Sequence, residues 1–188
     1  MDNRSHILVQ ALQLFASRGY DAVGVQEIAA AAGVTKPTLY HYFHSKQGLL
    51  EALLQEYYGQ LYEAVCTAAA YEGDLPLTLY RLANTCFRFA QQQPAFYRLR
   101  LSLYFAPPNG EPFQAVAGWN EKVYRQVEAL FIRAAEDHGN MRGRHQAYAT
   151  TLIGMIDTYV GLALNGYTKL NDELAYRAVH QFMHGIYS

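Results

Sequence analysis

Between positions 35 and 46 the chain concentrates Thr35, Lys36, Thr38, Tyr40, His41, Tyr42 and Lys46. Hydroxyls, cations and polar ring edges are the groups that bond phosphates and base edges, so this segment is suited to nucleic acid. Three other sets invite a chemical reading. His180 and His184 stand four apart, on one face of a helix, a spacing a metal accepts; without a third ligand they indicate no metal site. Glu136, Asp137 and His138 run into Gly139 and read as a solvated helix end rather than a catalytic group. Cys66 and Cys86 are the two cysteines, too few for a disulfide scaffold or a Cys-rich zinc site. No G-x-S-x-G, phosphate-loop or H-E-x-x-H pattern occurs, so neither an enzyme nor a cofactor is expected.

The elements that position these residues are helical throughout, because no strand-like alternation persists and the apolar period is that of a helix. Ile7, Leu8, Ala11, Leu12 and Phe15 form a first stripe that stops at Gly19. Val25, Ile28 and Ala29 form a short second one that stops at Gly33. Thr35 caps a third, with Pro37 tolerated in its first turn. Ser45 caps a long helix expected to end near Gly73, and Asp74 with Pro76 restarts the chain. Pro94 forces the next break, and the run Pro107–Pro112 is the clearest loop. A long helix then stops at Gly139 and Asn140, another runs from about Arg142 to Gly166, and Asn171 caps the last, whose stripe ends on Ile186. The expectation is an all-α protein of about nine helices.

Residues 25–43 give helix, glycine-containing turn, helix, the pattern of a helix-turn-helix. Ala29 is small enough for two helices to cross closely, Gly33 can adopt the left-handed turn, and Val34 and Leu39 can seal the small core. The polar side chains that follow Gly33 then lie where a helix can enter a major groove. The string VGVQEIAAAAGVTKPTLYHYFHSKQGLL, with LFASRGYDA upstream, resembles the N-terminal signature of TetR-type transcriptional regulators. The resemblance covers about a quarter of the chain. It implies that Thr35, Lys36, Pro37 and Thr38 start a recognition helix, that Tyr40, His41 and Tyr42 reach bases or phosphates, and that Lys46 grips the backbone. The family usually has Ser or Thr before its second helix; here Gly24 stands there. The amide of Val25 or the side chain of Gln26 would replace the missing hydroxyl.

Charge argues for two copies. Over residues 1–46 the cations Arg4, Arg18, Lys36 and Lys46 face the anions Asp2, Asp21 and Glu27, a net charge of +1, against −1 for the whole chain. Phosphate neutralisation supplies much of DNA affinity, so a monomer would bind weakly and a homodimer on a palindrome would not. The last two helices interleave small and large residues, and Tyr148, Leu152, Met155, Tyr159, Ala178, Phe182 and Met183 are the expected dimer surface of a four-helix seam. Aromatic residues make up 14% of the chain, with 16 tyrosines, more than a small bundle needs. Tyr58, Tyr62, Phe87, Tyr97, Tyr104, Phe105, Phe113, Trp119, Tyr124, Phe131 and Asp157 are the expected wall of a ligand cavity.

The expected organisation is a three-helix DNA-binding domain at 1–46 joined to a larger helical ligand-binding and dimerisation domain at 47–188. The expected function is that of a ligand-responsive transcriptional regulator. By the family's usual behaviour it represses from a palindromic operator as a homodimer and is released by a small apolar or aromatic effector. A thiol-responsive regulator acting through Cys66 and Cys86 is the alternative. In an antiparallel hairpin the two would be staggered by about 9 Å at 1.5 Å per residue, beyond the roughly 7 Å between Cα atoms that a disulfide spans. A helical enzyme or a purely structural interaction module is a more remote reading. With no apolar run expected to cross a bilayer and no signal peptide at the start, a cytoplasmic protein without a membrane partner is expected.

Overall fold

The computed structural model describes residues 2–185; Ile186 lies outside the described residues. Among these the chain is all-helical: α1 (Asn3–Arg18), α2 (Val25–Ala31), α3 (Lys36–Phe43), α4 (Lys46–Ala68), α5 (Leu75–Gln92), α6 (Pro94–Tyr104), α7 (Glu111–Asp137), α8 (His145–Leu164) and α9 (Asp172–His184), with a 3-10 turn at Gly139–Met141. They form two compact units, Met1–Gly59 with Ala95–Gly118, and Gln60–Pro94 with Trp119–Ser188. Helices α4 and α7 are continuous elements to which both units contribute.

In the first unit the local signals act as expected. The Asp2 carboxylate accepts the Ser5 amide at 2.7 Å and caps α1. That bond holds the carboxyl below the usual carboxylate range. Ile7, Leu8, Ala11, Leu12 and Phe15 are buried, one stripe at i, i+1, i+4, i+5 and i+8. Leu49, Leu50, Leu53 and Leu54 of α4 are fully buried in turn. Each such leucine contributes on the order of 1.5–3 kcal/mol of transfer free energy.

In the second unit α5 packs on both α8 and α9. Asp74 caps α5 through the Leu77 amide at 2.9 Å, and Asn171 caps α9 through the Leu174 amide at 2.8 Å. Helix α4 stops at Ala68, short of the expected Gly73. Just beyond it, side chains from elsewhere take the next two carbonyls: Arg81 donates to that of Ala70 at 2.7 Å and Arg133 to that of Ala69 at 3.4 Å. Helix α8 starts at His145 rather than Arg142, because Gly143 turns the chain at φ +75°.

The expectation that no run is long and apolar enough to cross a bilayer is corrected by α8, which meets that criterion by length and composition. Asp157 alone among its 20 residues is a charged Asp, Glu, Lys or Arg. One face of α8 (Ala149, Leu152, Ile156, Val160) is buried in the unit, yet only 22% of the apolar stretch is buried.

Candidate nucleic-acid interface

The geometry of the reading head follows from its turns. Gly33 adopts φ +63°, a left-handed conformation that costs a residue with a Cβ on the order of 1 kcal/mol. Behind the turn, the Val34 amide donates to the Ala29 carbonyl at 3.0 Å. Thr35 caps α3: its Oγ1 accepts the Thr38 amide at 3.3 Å and lies 2.9 Å from the Thr38 hydroxyl. Ile28, Ala29, Leu39 and Phe43 are buried beneath the two helices. The opposite side carries exposed Thr35, Lys36, Pro37, His41 and Tyr42, with Thr38 and Tyr40 half-buried. The Lys36 ammonium lies 5.5 Å from the Tyr40 ring centroid, and the His41 and Tyr42 rings meet edge to face at 5.4 Å. Gly24 is the extended N-cap of α2 with no side-chain bond, beside half-buried Val25 and exposed Gln26. Arg18 pairs with Glu27 and donates to the Ala22 carbonyl at 3.3 Å, tying α1 to α2 across that cap.

Two features of the head are not legible in the sequence. Lys46, expected on the phosphate backbone, is half-buried with its ammonium 4.0 Å from the Tyr20 ring centroid. Burial pulls it below the usual lysine range, against the opposing pull of Asp21 and Glu111. The Tyr20 hydroxyl donates to Glu111 at 2.8 Å; burial first, then this bond, pushes it well above the usual phenol range. The end of α1, the start of α4 and the start of α7 thus meet in one polar cluster. The second feature is the α3–α4 turn. His44 takes φ +63° and Ser45 caps α4 through the Gly48 amide at 2.8 Å. A Cβ on Gly48 would lie 2.2 Å from the Phe43 carbonyl oxygen.

The expected cavity wall falls into two sets. In the first unit Tyr58 and Tyr97 are buried around Arg100, whose Nε donates to the Tyr58 hydroxyl at 2.9 Å and whose guanidinium carbon lies 4.9 Å from the Tyr97 ring centroid. Arg100 is 5% exposed and is the one buried charged residue among the described residues. Phe113 is half-buried, whereas Tyr104 and Phe105, 50% and 81% exposed, stand on the surface. In the second unit Phe87 and Phe131 are buried, and Tyr62, Trp119, Tyr124 and Asp157 are half-buried. Of the expected dimer residues, Leu152 and Ala178 are buried within the subunit. Tyr148 and Phe182 are half-buried, and Met183 is exposed. Met155 and Tyr159 are half-buried on α8. Cys66 is half-buried and Cys86 is buried, and neither takes part in a disulfide.

Residues 7–53 match the model of the bacterial regulatory proteins of the tetR family. The chain is 29% identical over 184 residues to the HTH-type transcriptional activator FasR of Mycolicibacterium smegmatis, covering 98% of this chain and 82% of that one. It is 34% identical over 84 residues to the HTH-type transcriptional repressor KstR2 of Rhodococcus jostii, covering 45% and 41%. The fatty acid degradation regulator FadR of Bacillus halodurans superposes with a TM-score of 0.80 at 22% identity, over 97% of this chain and 98% of that one. Bacillus subtilis FadR, solved in complex with stearoyl-CoA, superposes at 0.81 with 20% identity, over 97% and 99%. With a capped recognition helix standing on a buried three-helix head, and that head matched by the family model, residues 7–53 carry the helix-turn-helix head of the tetR family of bacterial regulatory proteins.

Proposed function

We propose that the chain is a repressor that binds a palindromic operator as a homodimer and is released by a small, largely apolar or aromatic effector, with residues 1–46 reading DNA and 47–188 binding effector and partner. The observation that carries this reading is the outward row Thr35, Lys36, His41 and Tyr42 on a helix fixed by Thr35 and Gly33. Thr35, Pro37 and Thr38 open α3 against base edges, Lys36 and Tyr42 take phosphates, and Gly24, Val25 and Gln26 present the N-terminus of α2 to the backbone. Tyr40, half-buried under Lys36, orients that cation, and Lys46 reaches a phosphate only by leaving Tyr20.

The partner sits on the outward face of α8 and α9. Met155, Tyr159, exposed Leu162 and exposed Tyr176 and Met183 leave apolar surface uncovered on the most apolar helix of the chain and its neighbour. Buried Leu152 and Ala178 support that face from within. Effector binding in the helical part shifts the population toward a dimer whose two heads are wrongly spaced. Half-sites on one DNA face repeat about every 34–36 Å, so a small tilt suffices. Helix α4, continuous from Lys46 to Ala68, carries that tilt. The chemistry needs no catalytic group, and the protein acts in the cytoplasm, where its DNA is.

Selection of bound duplexes from a random library tests the operator, and a screen of small aromatic compounds on the selected duplex tests release. A palindromic site holding two chains, released by at least one bound compound, is expected. Operator affinity unchanged by every compound that binds would count against the switch.

A further inference from the structure

The second unit contains a cleft of about 310 Å³ at the junction of the start of α5, the end of α7, the Gly139–Met141 turn, the start of α8 and the end of α9. Its wall is mostly apolar, with Leu79 and Phe131 buried and Phe182 and Met183 partly open. The Phe131 ring packs on Tyr148 at 5.5 Å and on Phe182 at 6.2 Å between centroids. Into this surface comes His138. Its backbone is held at both ends, the amide bonded to the Ala134 carbonyl at 3.0 Å and the carbonyl accepting the Met141 amide at 3.0 Å. Its side chain does not cap the turn it precedes. The imidazole Nε2 is buried and has no hydrogen-bond partner. Buried polar atoms are nearly always paired, so one left unpaired on a residue that lines a cleft calls for a partner from outside the chain.

We propose that this cleft binds a neutral, mostly apolar aromatic molecule carrying a single hydrogen-bonding group, which His138 Nε2 engages. The volume is at the lower end of small-molecule sites, and a few polar groups on an apolar wall is their usual composition. No Lys, Arg, Asp or Glu lines the cleft, so nothing there neutralises a carboxylate or a phosphate, and a charged ligand would lose its hydration without compensation. His138, expected from the sequence to belong to a solvated helix end, is instead the polar group that fixes the ligand's orientation. The site stands on the cleft itself; that its occupancy reaches the operator rests on the regulator reading above.

The test is calorimetric titration of the full chain with 2-naphthol and with naphthalene, a pair differing by one hydroxyl. The wild type binds 2-naphthol more tightly than naphthalene. His138→Phe keeps the ring and removes the nitrogen; it weakens 2-naphthol by about tenfold, the worth of one hydrogen bond, and leaves naphthalene unchanged. Asn140→Trp, at an exposed position on the rim, blocks both. His138→Phe also melts no lower than the wild type, since it removes an unpaired buried group, which separates loss of the site from loss of the fold. Absence of 2-naphthol binding at millimolar concentration, or equal binding by wild type and His138→Phe, overturns the proposal. So does binding that appears only after the dimer is diluted into monomers, which assigns the cleft to a second copy. Operator binding is read separately: 2-naphthol bound at His138 with operator affinity unchanged keeps the site and removes its role as effector.

Discussion

Replacing Gly48 by alanine tests whether the α3–α4 turn fixes the reading head. In a solvated helix this substitution is favourable by about 1 kcal/mol, because glycine loses more backbone entropy on folding. Here the new Cβ falls 2.2 Å from the Phe43 carbonyl oxygen, and an ordinary van der Waals distance of 3.4 Å requires the two atoms to separate by 1.2 Å. The obstacle is backbone, and it is tethered. The Phe43 carbonyl accepts the Ser45 amide at 2.7 Å, the His44 amide donates to Tyr40 at 2.9 Å, and Ser45 Oγ holds the Gly48 amide. Relief therefore moves the end of α3 or breaks the cap. Overpacking of this kind costs about 1–3 kcal/mol, which outweighs the propensity gain. We expect a net loss of about 1 kcal/mol, a melting temperature lower by about 2–4 °C for a chain of this size. Displacement of α3 by about 1 Å should weaken operator binding at least tenfold, an effect of about 1.4 kcal/mol. Differential scanning calorimetry and fluorescence anisotropy on an operator duplex read the two effects. A variant that melts at or above the wild-type temperature and binds DNA equally well refutes the reasoning.

Two further outcomes follow from the structure of each unit. Tyr20→Phe removes the bond to Glu111 and should cost about 1 kcal/mol of stability. Because the folded state raises the Tyr20 hydroxyl above its unfolded value near 10, the tyrosine's contribution is complete below pH 10 and is lost as pH rises further. Unfolding temperatures between pH 8 and 11 should therefore fall less steeply for Tyr20→Phe, and parallel curves would contradict the role given to this pair. Leu162→Glu places a charge on the outward face of α8, where the leucine is 40% exposed. Sedimentation should show a shift from dimer to monomer and anisotropy a loss of operator binding, whereas an unchanged dimer would remove α8 from the interface.

Features set by neighbouring residues are legible in the sequence. Thr35, Asp74 and Asn171 cap helices with their own side chains, and Gly33 takes the left-handed turn its lack of a Cβ allows. Such signals depend on a few bonds along the chain. Features set by distant residues are not. Helix α4 ends early, where Arg133 and Arg81 hold the Ala69 and Ala70 carbonyls just beyond it. The spacing of Lys46 fits a phosphate grip, but Tyr20 offers its ammonium an aromatic face first. Gly48 carries no local signal, because its requirement appears only when the Phe43 carbonyl is in place. The aromatic set named from composition divides into buried and exposed members, since residue type alone does not tell a core ring such as Tyr58 from a surface ring such as Phe105. The His138 nitrogen needs the cleft around it to become visible.

The central claim is that the exposed face of α3 enters the grooves of duplex DNA from two subunits at once. Its most direct test is the affinity of a Lys36→Ala, Tyr42→Ala double variant for the selected operator, measured across salt concentrations beside sedimentation of the same sample. Both side chains are exposed and neither supports the core, so the variant should remain a folded dimer. Each subunit then neutralises one phosphate fewer, so the slope of log affinity against log salt should shrink by about 2, and affinity should fall at least about tenfold. Wild-type affinity with an unchanged salt slope, in a dimer of normal stability, would contradict the account.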